Sequence, residues 1–355
     1  MENVKVALWG FGAMGSGIAR LLLDKQGVEI VAVCGRSSNV GRDIYEVLGV
    51  DRAGRPAVSV ASDPEKAFPE GCADVLIQTT DSFMKNACPK VEFAVARGLN
   101  VISIAEEMAY PRAQHPALAD KLDRLARTAG VSILATGINP GFVMDLLILA
   151  LTGTCERVDR ISAKRINDLS PFGRAVMAEQ GVGLSPEEFQ TRVAQGDIAG
   201  HVGFPESIRM IADGLGWETE RVEQSRQEIL TTVDRETNCV QVPAGHVAGC
   251  RQMGFGYVEG ERRIELEHPQ QIRPESEGIQ TGDYISIEGV PNISLRIQPE
   301  IPGGIGTIAM AVNMIPHVIN ARPGLKTMLD LPVPRAIMGD MRTFIEREGC
   351  HHGNR

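Results

Sequence analysis

The sequence lacks the features that mark several large classes of protein. Its 355 residues include only 5% aromatic and 23% charged side chains, and acidic residues outnumber Lys and Arg by 45 to 36. No stretch shows the clustered Lys and Arg with which nucleic-acid-binding proteins neutralise phosphates. We therefore expect no nucleic-acid partner.

Long apolar runs are also missing. The strongest run, Phe142 to Leu151, is interrupted by Asp145, and it is shorter than the ~18–20 residues that a membrane-spanning helix needs. The first residues of the chain carry charges where a secretory signal has its apolar core. We expect no membrane association and a cytoplasmic location.

The cysteines form no recognisable pattern. There are seven, and they include no C-x-x-C pair and no His/Cys spacing typical of a metal site. An odd number in a long chain is typical of reduced thiols in the cytoplasm. A Ser/His/Asp order, a Walker lysine and an H-E-x-x-H motif are absent as well. We predict no bound metal.

The first 140 residues do contain a clear alternation of strand and helix signals. Short apolar runs predict buried strands at Val4–Trp9, Ile30–Cys34, Val75–Thr79, Asn100–Ala105 and Val131–Thr136. The segments between them include amphipathic helices. Continuous apolar strands alternating with helices predict a parallel sheet that is covered on both faces. We therefore predict an α/β fold, namely a Rossmann doubly wound parallel sheet.

The pattern changes in the second half of the chain. Apolar and polar residues alternate at 264–266 and at 293–297, which predicts antiparallel strands with one face exposed to water or closed by another subunit. The last fifty residues return to helical character and are expected to pack on the first domain. We predict a dinucleotide-binding Rossmann domain at residues 1–140 and 305–355. Residues 141–304 are predicted to form a second, α+β domain on a mainly antiparallel sheet, which binds substrate and forms a homodimer.

A G-x-G-x-x-G motif directly follows the first predicted strand. It consists of Gly10, Phe11, Gly12, Ala13, Met14 and Gly15. In this position the first glycine makes a tight turn, the second lets a pyrophosphate approach the backbone, and the third lets the helix pack on the strand. The helix N-terminus attracts the phosphate charge. The motif predicts a bound dinucleotide, and the alternative is a strand–helix turn without a ligand.

The residues after the second predicted strand bear on the choice of dinucleotide. An NAD-selective site usually places a carboxylate there, to hold the ribose 2′-hydroxyl. This sequence instead has Arg36, Ser37 and Ser38, and a guanidinium with small hydroxyl donors suits a 2′-phosphate. We predict that NADP is favoured over NAD. If Arg36 is only a solvated loop residue, both are accepted.

Polar residues follow three of the predicted strands, at the edge of the sheet where open α/β folds bind ligands. They are Thr79, Thr80 and Asp81 after one strand, Glu106 and Glu107 after the next, and Asn139 and Pro140 after the third. We predict that Thr79, Thr80, Asn139 and Pro140 contact the cofactor and that Asn139 also contacts the substrate.

The adjacent carboxylates Glu106 and Glu107 are the candidates for proton transfer. Burial or mutual repulsion raises the pKa of one such carboxyl toward neutral pH, where it can accept a proton from an ammonium or from water. We predict that one of the pair is catalytic and favour Glu106. The alternative is that one caps the next helix and the other faces solvent.

Three further residues are predicted to contact the substrate, namely Asp81, Asn167 and His201. Asp81 either binds a substrate ammonium or caps a helix at Ser82. Asn167 and His201 lie in segments punctuated by Gly or Pro, and a histidine in such a position is more often structural. The run at 302–307 either forms a backbone nest for a carboxylate or is a plain loop.

Six segments resemble the 2,4-diaminopentanoate dehydrogenase family, and the resemblance runs through essentially the whole chain. They are WGFGAMGSGIA, NVISIAEEMAYP, ATGINPGFVMD, RINDLSPFG, HVGFPES and IPGGIGTIAMAVNMIP. The family is grouped with diaminopimelate dehydrogenase, with amine dehydrogenases and with the first domain of dihydrodipicolinate reductase. The His-His-x-x-Lys and Ser-Gly-Thr pattern of dihydrodipicolinate reductases is absent here, which disfavours that activity.

The resemblance implies an NAD(P)-dependent oxidative deamination of 2,4-diaminopentanoate to 2-amino-4-oxopentanoate and ammonia, a step of ornithine fermentation. The related amine dehydrogenases use a glutamate in the segment that contains Glu106 and Glu107. Diaminopimelate dehydrogenase holds substrate amine with an aspartate in the segment that matches Asp81. Two other functions stay open from the sequence: an amine dehydrogenase acting on simple ketones and amines, and a non-catalytic NADP-binding sensor.

Overall fold

The computed structural model describes residues 2–36 and 39–346. These residues divide into two compact units, one containing the residues up to 141 together with those from 303 onward, and the other containing residues 142–302. Each unit is built on its own sheet.

The sheet of the first unit has seven strands, and all of its strand pairs are parallel. Its strands are β1 (Val4–Trp9), β2 (Val28–Cys34), β3 (Val60–Ala61), β4 (Val75–Gln78), β5 (Asn100–Ser103), β6 (Ser132–Ala135) and, late in the chain, β15 (Gly324–Lys326). The order across the sheet is β15-β6-β5-β4-β1-β2-β3. Every residue of β4 and β6 is buried, as expected for strands covered on both faces. The predicted Rossmann doubly wound sheet is confirmed.

The helices of the first unit connect these strands. They are α1 (Ala13–Leu23), α2 (Ile44–Leu48), α3 (Pro64–Ala67), α4 (Met84–Val95), α5 (Pro116–Ala129) and, late in the chain, α10 (Gly303–Asn313) and α11 (Ile315–Ile319). Helix α10 packs on α1 so closely that a Cβ on Gly17 would lie 2.3 Å from Ile308 Cδ1. The strand order reverses between β1 and β4, and folds of this type bind ligands beyond the carboxyl ends of the strands at such a point.

The strands of the second unit are β7 (Arg157–Asp168), β8 (Arg221–Leu230), β9 (Arg235–Glu236), β10 (Gln241–Val242), β11 (Val247–Val258), β12 (Glu261–Gln271), β13 (Gly282–Val290) and β14 (Ile293–Ile297). Six of them form a sheet in the order β14-β13-β7-β12-β11-β8, and β9 and β10 form a two-stranded ribbon. Within the larger sheet the β7–β12 pair is parallel and the other pairs are antiparallel. The prediction of a mainly antiparallel sheet is confirmed.

Four helices belong to the second unit: α6 (Leu146–Thr152), α7 (Arg174–Glu179), α8 (Pro186–Gln195) and α9 (Phe204–Leu215). Helix α8 begins with a complete capping box, in which Ser185 Oγ accepts from the Glu188 N–H at 3.2 Å and the Glu188 carboxylate accepts from the Ser185 N–H at 2.9 Å. Helix α9 lies directly on β11, since a Cβ on Gly254 would come within 2.7 Å of the Phe204 ring.

One expectation about a local element is wrong. The glycine-rich run at 302–307 is neither a backbone nest nor a plain loop, because α10 already begins at Gly303. Within this run Gly306 packs so tightly that a Cβ would lie 2.9 Å from the Ile138 side chain. Among the helices of the described residues, none combines the length and the apolar character that crossing a bilayer requires.

Candidate active site

The turn between β1 and α1 is shaped by its three glycines. Gly10 has a φ of +111°, and a Cβ there would lie 2.4 Å from Thr79 Oγ1. A Cβ on Gly15 would lie 2.0 Å from the carbonyl oxygen of Gly10, so only glycine lets the helix approach the strand this closely. At Gly12 a Cβ would meet nothing within 4 Å. The space over the N-terminus of α1 is therefore open.

This open space fits a dinucleotide pyrophosphate. Gly12 precedes α1 and offers no side-chain cap to its first turn, so the backbone N–H groups and the positive end of the helix dipole can serve an anion. Ala13 is exposed and Met14 is half-buried, whereas the Phe11 side chain is buried beneath the turn. The residues present thus meet the requirements of the predicted cofactor, because no side chain blocks the approach to the glycine backbone.

Arg36 follows β2 at the same edge of the sheet. It is exposed, and no other described residue forms an ion pair or a hydrogen bond with its guanidinium. Burial lowers the pKa of Lys90, the charge of Asp81 acts against this, and the charge of Arg36 lowers it further. Ser37, the other residue predicted to hold a 2′-phosphate, lies outside the described residues.

The two threonines after β4 are held by hydrogen bonds to different partners. Thr79 Oγ1 donates to the Gly10 carbonyl oxygen at 3.2 Å, which ties it to the glycine turn. Thr80 Oγ1 accepts a hydrogen bond from Gln78 Nε2 at 2.7 Å, while Thr80 itself is exposed. Both threonines therefore lie at the carboxyl end of β4, where the sequence predicted cofactor contacts.

Asp81 stabilises the turn that leads into α4. Its Oδ1 accepts hydrogen bonds from the Phe83 N–H at 3.0 Å and from Asn86 Nδ2 at 3.1 Å. The alternative that Asp81 caps a helix at Ser82 is wrong. Helix α4 begins at Met84, and its N-cap residue Phe83 makes no side-chain cap hydrogen bond. The predicted contact of Asp81 with a substrate ammonium stays a prediction.

Glu106 and Glu107 start a 3-10 turn, which follows β5 after Ile104 and Ala105. One oxygen of the Glu107 carboxylate has partners on other elements. Glu107 Oε2 accepts a hydrogen bond from the Met84 N–H at 2.7 Å and lies 3.2 Å from His115 Nε2. The first turn of α4 contains no acidic residue of its own. Glu107 therefore supplies from another element the carboxylate that stabilises this helix N-terminus.

Glu106 lies in a different environment. Burial raises the pKa of its carboxyl to about 7, with smaller contributions from the charges of Asp81 and Glu107. Hydrogen bonds from its own backbone and from the Ser82 side chain act in the opposite direction. A carboxyl with a pKa near 7 can take up and release a proton at neutral pH.

The loop after β6 carries Asn139 and Pro140, which are joined by a cis peptide bond. The loop is held to α10, because the Ile138 N–H donates to Thr307 Oγ1 at 3.1 Å. Since β4, β5 and β6 are parallel neighbours, their carboxyl ends meet at one edge of the sheet. Asn139 therefore shares that edge with Thr80 and Glu106.

Asn167 and His201 lie in the second unit, around a buried polar cluster. Asn167 Oδ1 lies 3.0 Å from His268 Nε2, and the His201 and His268 rings meet edge to face with centroids 4.8 Å apart. Among the described residues, His201 Nε2 and His268 Nδ1 have no hydrogen-bond partner although both atoms are buried. Burial, followed by the charge of Arg165, lowers the pKa of His201 to about 3, so the ring is neutral at pH 7.

Arg165 and His268 are residues of this cluster that the sequence analysis missed. Arg165 is 2% exposed, forms an ion pair with Asp283 and donates to the Ile301 carbonyl oxygen at 2.6 Å. Burial lowers the pKa of His268 well below its usual value. The missed signal is the alternation itself, because the buried face of β7 continues from Ala163 to Arg165 at the spacing of two residues.

The sequence matches two family profiles. One is described as the 2,4-diaminopentanoate dehydrogenase C-terminal domain and matches residues 142–347. The other is described as dihydrodipicolinate reductase, N-terminus, and matches residues 4–104.

Relatives resemble the chain over nearly its full length. It is 56% identical over 349 residues to a 2,4-diaminopentanoate dehydrogenase from Acetoanaerobium sticklandii, which covers 98% of this chain and 99% of that protein. It is 28% identical to an amine dehydrogenase from Streptomyces virginiae, over 94% of this chain and 98% of the relative. The structure of an amine dehydrogenase from Mycobacterium smegmatis superposes with a TM-score of 0.84 at 26% identity, covering 95% of this chain and 98% of the other.

Proposed function

This chain belongs to the 2,4-diaminopentanoate dehydrogenase family, and on that premise we propose that it catalyses the NAD(P)-dependent oxidative deamination of 2,4-diaminopentanoate. The products are 2-amino-4-oxopentanoate, ammonia and the reduced dinucleotide, in a route of ornithine degradation. The observation that carries the proposal is the 56% identity over 98% of the chain to a protein of that name. Membership of a dehydrogenase family also sets aside the non-catalytic sensor.

We assign the proton transfers to Glu106 rather than to Glu107. The C4 ammonium of the substrate must lose a proton before its carbon can release a hydride, and a carboxyl with a pKa of about 7 suits this task. Glu107 is less suited, because its carboxylate is bound to the Met84 N–H and lies against His115. When bound, the nicotinamide supplies the hydride acceptor.

The same carboxylate serves the hydrolytic half of the reaction. Before this half begins, Glu106 releases to solvent the proton that it took from the ammonium. After hydride loss the substrate carries a C4 iminium, and Glu106 accepts a proton from the water that adds to this carbon and returns it to the nitrogen of the carbinolamine. As the C4–N bond breaks and ammonia leaves, Glu106 accepts the proton of the C4 hydroxyl and the ketone forms. One carboxyl near its pKa thus accepts and returns protons at successive steps.

We propose that the dinucleotide is held by the residues of the G-x-G-x-x-G motif and by the tips of the neighbouring strands. They are Gly10, Phe11, Gly12, Ala13, Met14, Gly15, Thr79, Thr80, Asn139 and Pro140. The open space over Gly12 supports the pyrophosphate position. We further propose that Arg36 and Ser37 bind a 2′-phosphate and favour NADP, because the exposed Arg36 guanidinium has no partner among the described residues.

The substrate contacts are proposals as well. Asp81 lies close enough to Glu106 for its charge to act on the carboxyl there, which supports a role in binding the substrate ammonium, and Asn139 lies after the strand next to β5. In the second unit, Asn167 and His201 are proposed contacts, and the unpartnered Nε2 of His201 supports the latter.

We also propose a role for each of the two domains. Residues 1–140 with 305–355 are proposed to bind the dinucleotide, and residues 141–304 to bind substrate and to form a homodimer. We also propose that the enzyme acts in the cytoplasm.

A spectrophotometric panel tests the proposed activity. The protein is mixed with NAD⁺ or NADP⁺ and with 2,4-diaminopentanoate or 2-aminopentane, and reduced nicotinamide is followed at its absorbance maximum. Reduction with the diamino acid is expected, faster with NADP⁺. Turnover of 2-aminopentane alone would instead assign the chain to amine dehydrogenases of simple amines, and turnover of neither would contradict both activities.

A further inference from the structure

A glutamine and a serine are completely buried at the ends of the two strands that lead to the proposed site. Gln78 is the last residue of β4 and Ser103 the last residue of β5, and each is 0% exposed. They face each other across the sheet, because Gln78 pairs with Ser103 in the β4–β5 register. Burying polar side chains costs free energy unless they find hydrogen-bond partners.

These two side chains bond to each other and to the loops on both sides. Ser103 Oγ donates to Gln78 Oε1 at 2.5 Å and accepts from the Ala105 N–H at 3.1 Å. Gln78 Nε2 donates to Thr80 Oγ1 at 2.7 Å. A continuous chain of hydrogen bonds thus runs from Thr80 to Ala105, the residue before Glu106.

The sheet itself does not require polar side chains at this level. The strand on one side of the pair ends in Trp9, which is opposite Gln78, and the strand on the other side has Ala135 opposite Ser103. Apolar side chains therefore satisfy the packing of the same layer in the neighbouring strands. In this layer of the sheet, Gln78 and Ser103 are polar and their neighbours Trp9 and Ala135 are apolar. Gln78 and Ser103 lie where the chain leaves β4 and β5 toward Thr80 and Glu106.

We propose that Gln78 and Ser103 are positioning residues, which hold Thr80 and the segment of Glu106 in one hydrogen-bonded frame. The inference rests on the proposed function, because it takes Thr80 as a cofactor contact and Glu106 as the proton acceptor. The frame fixes the distance between the two groups that must meet the cofactor and the substrate. A displacement of about 1 Å in such an arrangement costs about 100-fold in rate.

Ser132 provides a matched control. It is 1% exposed and is the first residue of β6, at the opposite edge of the same sheet. Its hydroxyl donates to the Ala321 carbonyl oxygen at 3.2 Å. Replacing Ser132 by Ala therefore removes a buried hydroxyl from the sheet without touching the frame.

The experiment compares Ser103→Ala, Gln78→Met and Ser132→Ala for kcat, KM for 2,4-diaminopentanoate, thermal stability and the Kd of NADPH measured by fluorescence without substrate. We expect Ser103→Ala and Gln78→Met to lower kcat by about 10- to 100-fold. Gln78→Met should also weaken NADPH binding by about 3- to 10-fold, since Thr80 loses its anchor. Ser132→Ala should lose similar stability and keep kcat, KM and Kd within about 2-fold. Thr80→Val, at an exposed position, tests the same bond if Gln78→Met does not fold.

The outcomes separate this inference from the proposed function. If the wild type is active and Glu106→Gln is not, but Ser103→Ala and Gln78→Met behave like Ser132→Ala, the positioning role is wrong and the proposed function stands. If the wild type does not oxidise 2,4-diaminopentanoate, the proposed function fails. The positioning of Thr80 can still be tested in that case, because NADPH binding is measured without substrate. An unchanged Kd of NADPH in both Gln78→Met and Thr80→Val would show that the hydrogen bond between Gln78 and Thr80 does not position a cofactor contact.

Discussion

The Glu107 carboxylate accepts a hydrogen bond from the Met84 backbone N–H at 2.7 Å. This contact gives the two adjacent glutamates different roles, because it uses Glu107 to stabilise the start of α4. Glu106 is left half-buried, and desolvation of its carboxyl raises the pKa to about 7. The two glutamates are adjacent in sequence but have different surroundings. Glu107 stabilises the start of α4, and Glu106 is proposed to transfer protons.

The first prediction concerns Glu107. Glu107→Ala should destabilise the protein by about 1 kcal/mol, the usual cost of losing a helix cap, as measured by urea denaturation. Glu107→Gln keeps an oxygen that can accept from the Met84 N–H, and it should retain kcat within about fivefold because it leaves the proton-transfer group intact. A loss of turnover in Glu107→Gln larger than in Glu106→Gln would reverse the assignment.

The second prediction concerns the pH dependence of activity. A general base works when it is deprotonated, so kcat/KM should rise with pH through the pKa of Glu106, about 7. The Ser82 hydrogen bond lowers that pKa, and Ser82→Ala should therefore move the acidic limb of the profile to higher pH. Ser82→Thr keeps a hydroxyl and serves as the control. If the acidic limb lies at the same pH in Ser82→Ala and in the wild type, the Ser82 hydrogen bond does not lower the pKa of the catalytic group.

The third prediction concerns stability. The pKa of Glu106 is raised from 4.5 to about 7 in the folded protein, so between these pH values the unfolded chain has lost a proton that the folded protein still binds. The wild type must therefore lose stability relative to Glu106→Gln as pH rises through this window, by up to about 3 kcal/mol. Urea unfolding of both proteins at pH 5 and pH 8 measures the difference. An equal difference at the two pH values would contradict a raised pKa of the Glu106 carboxyl.

The fourth prediction separates two glycines of the phosphate-binding turn. Gly12→Val should fold normally, because a Cβ there meets nothing within 4 Å, and it should weaken dinucleotide binding by at least about tenfold by blocking the pyrophosphate. Gly15→Ala should instead lower the melting temperature, because its Cβ would lie 2.0 Å from the Gly10 carbonyl oxygen. Calorimetric unfolding and NADPH titration of both variants distinguish these effects. Full NADPH affinity in Gly12→Val would contradict the binding site.

The fold could be predicted from the sequence because its main signals are local. The apolar run Val4–Trp9 followed at once by glycines identifies the first strand and turn, and the alternation at 293–297 identifies an antiparallel strand. The start of α10 could not be predicted in this way. A glycine-rich run has low helix propensity, and α10 is packed there against residues distant in sequence, Gly306 against Ile138 and Ile308 against Gly17.

The candidate site was predictable only in part for a related reason. The sequence shows that Glu106 and Glu107 follow a strand, but their difference depends on Met84, which lies on a separate helix. Arg165 was missed because a polar residue in an alternating strand is expected on the wet face, whereas here it is buried with Asp283. The alternation along β7 places Arg165 on the buried face, but no local pattern identifies Asp283, which lies far away in the sequence, as its partner.

The most direct test of the central assignment is the kcat of Glu106→Gln with saturating 2,4-diaminopentanoate and NADP⁺. The variant keeps the shape of the side chain and removes the group that accepts protons. The assignment predicts a fall in kcat of about 100- to 10,000-fold, with the Kd of NADPH unchanged within about 2-fold. A kcat near that of the wild type would contradict the role of Glu106.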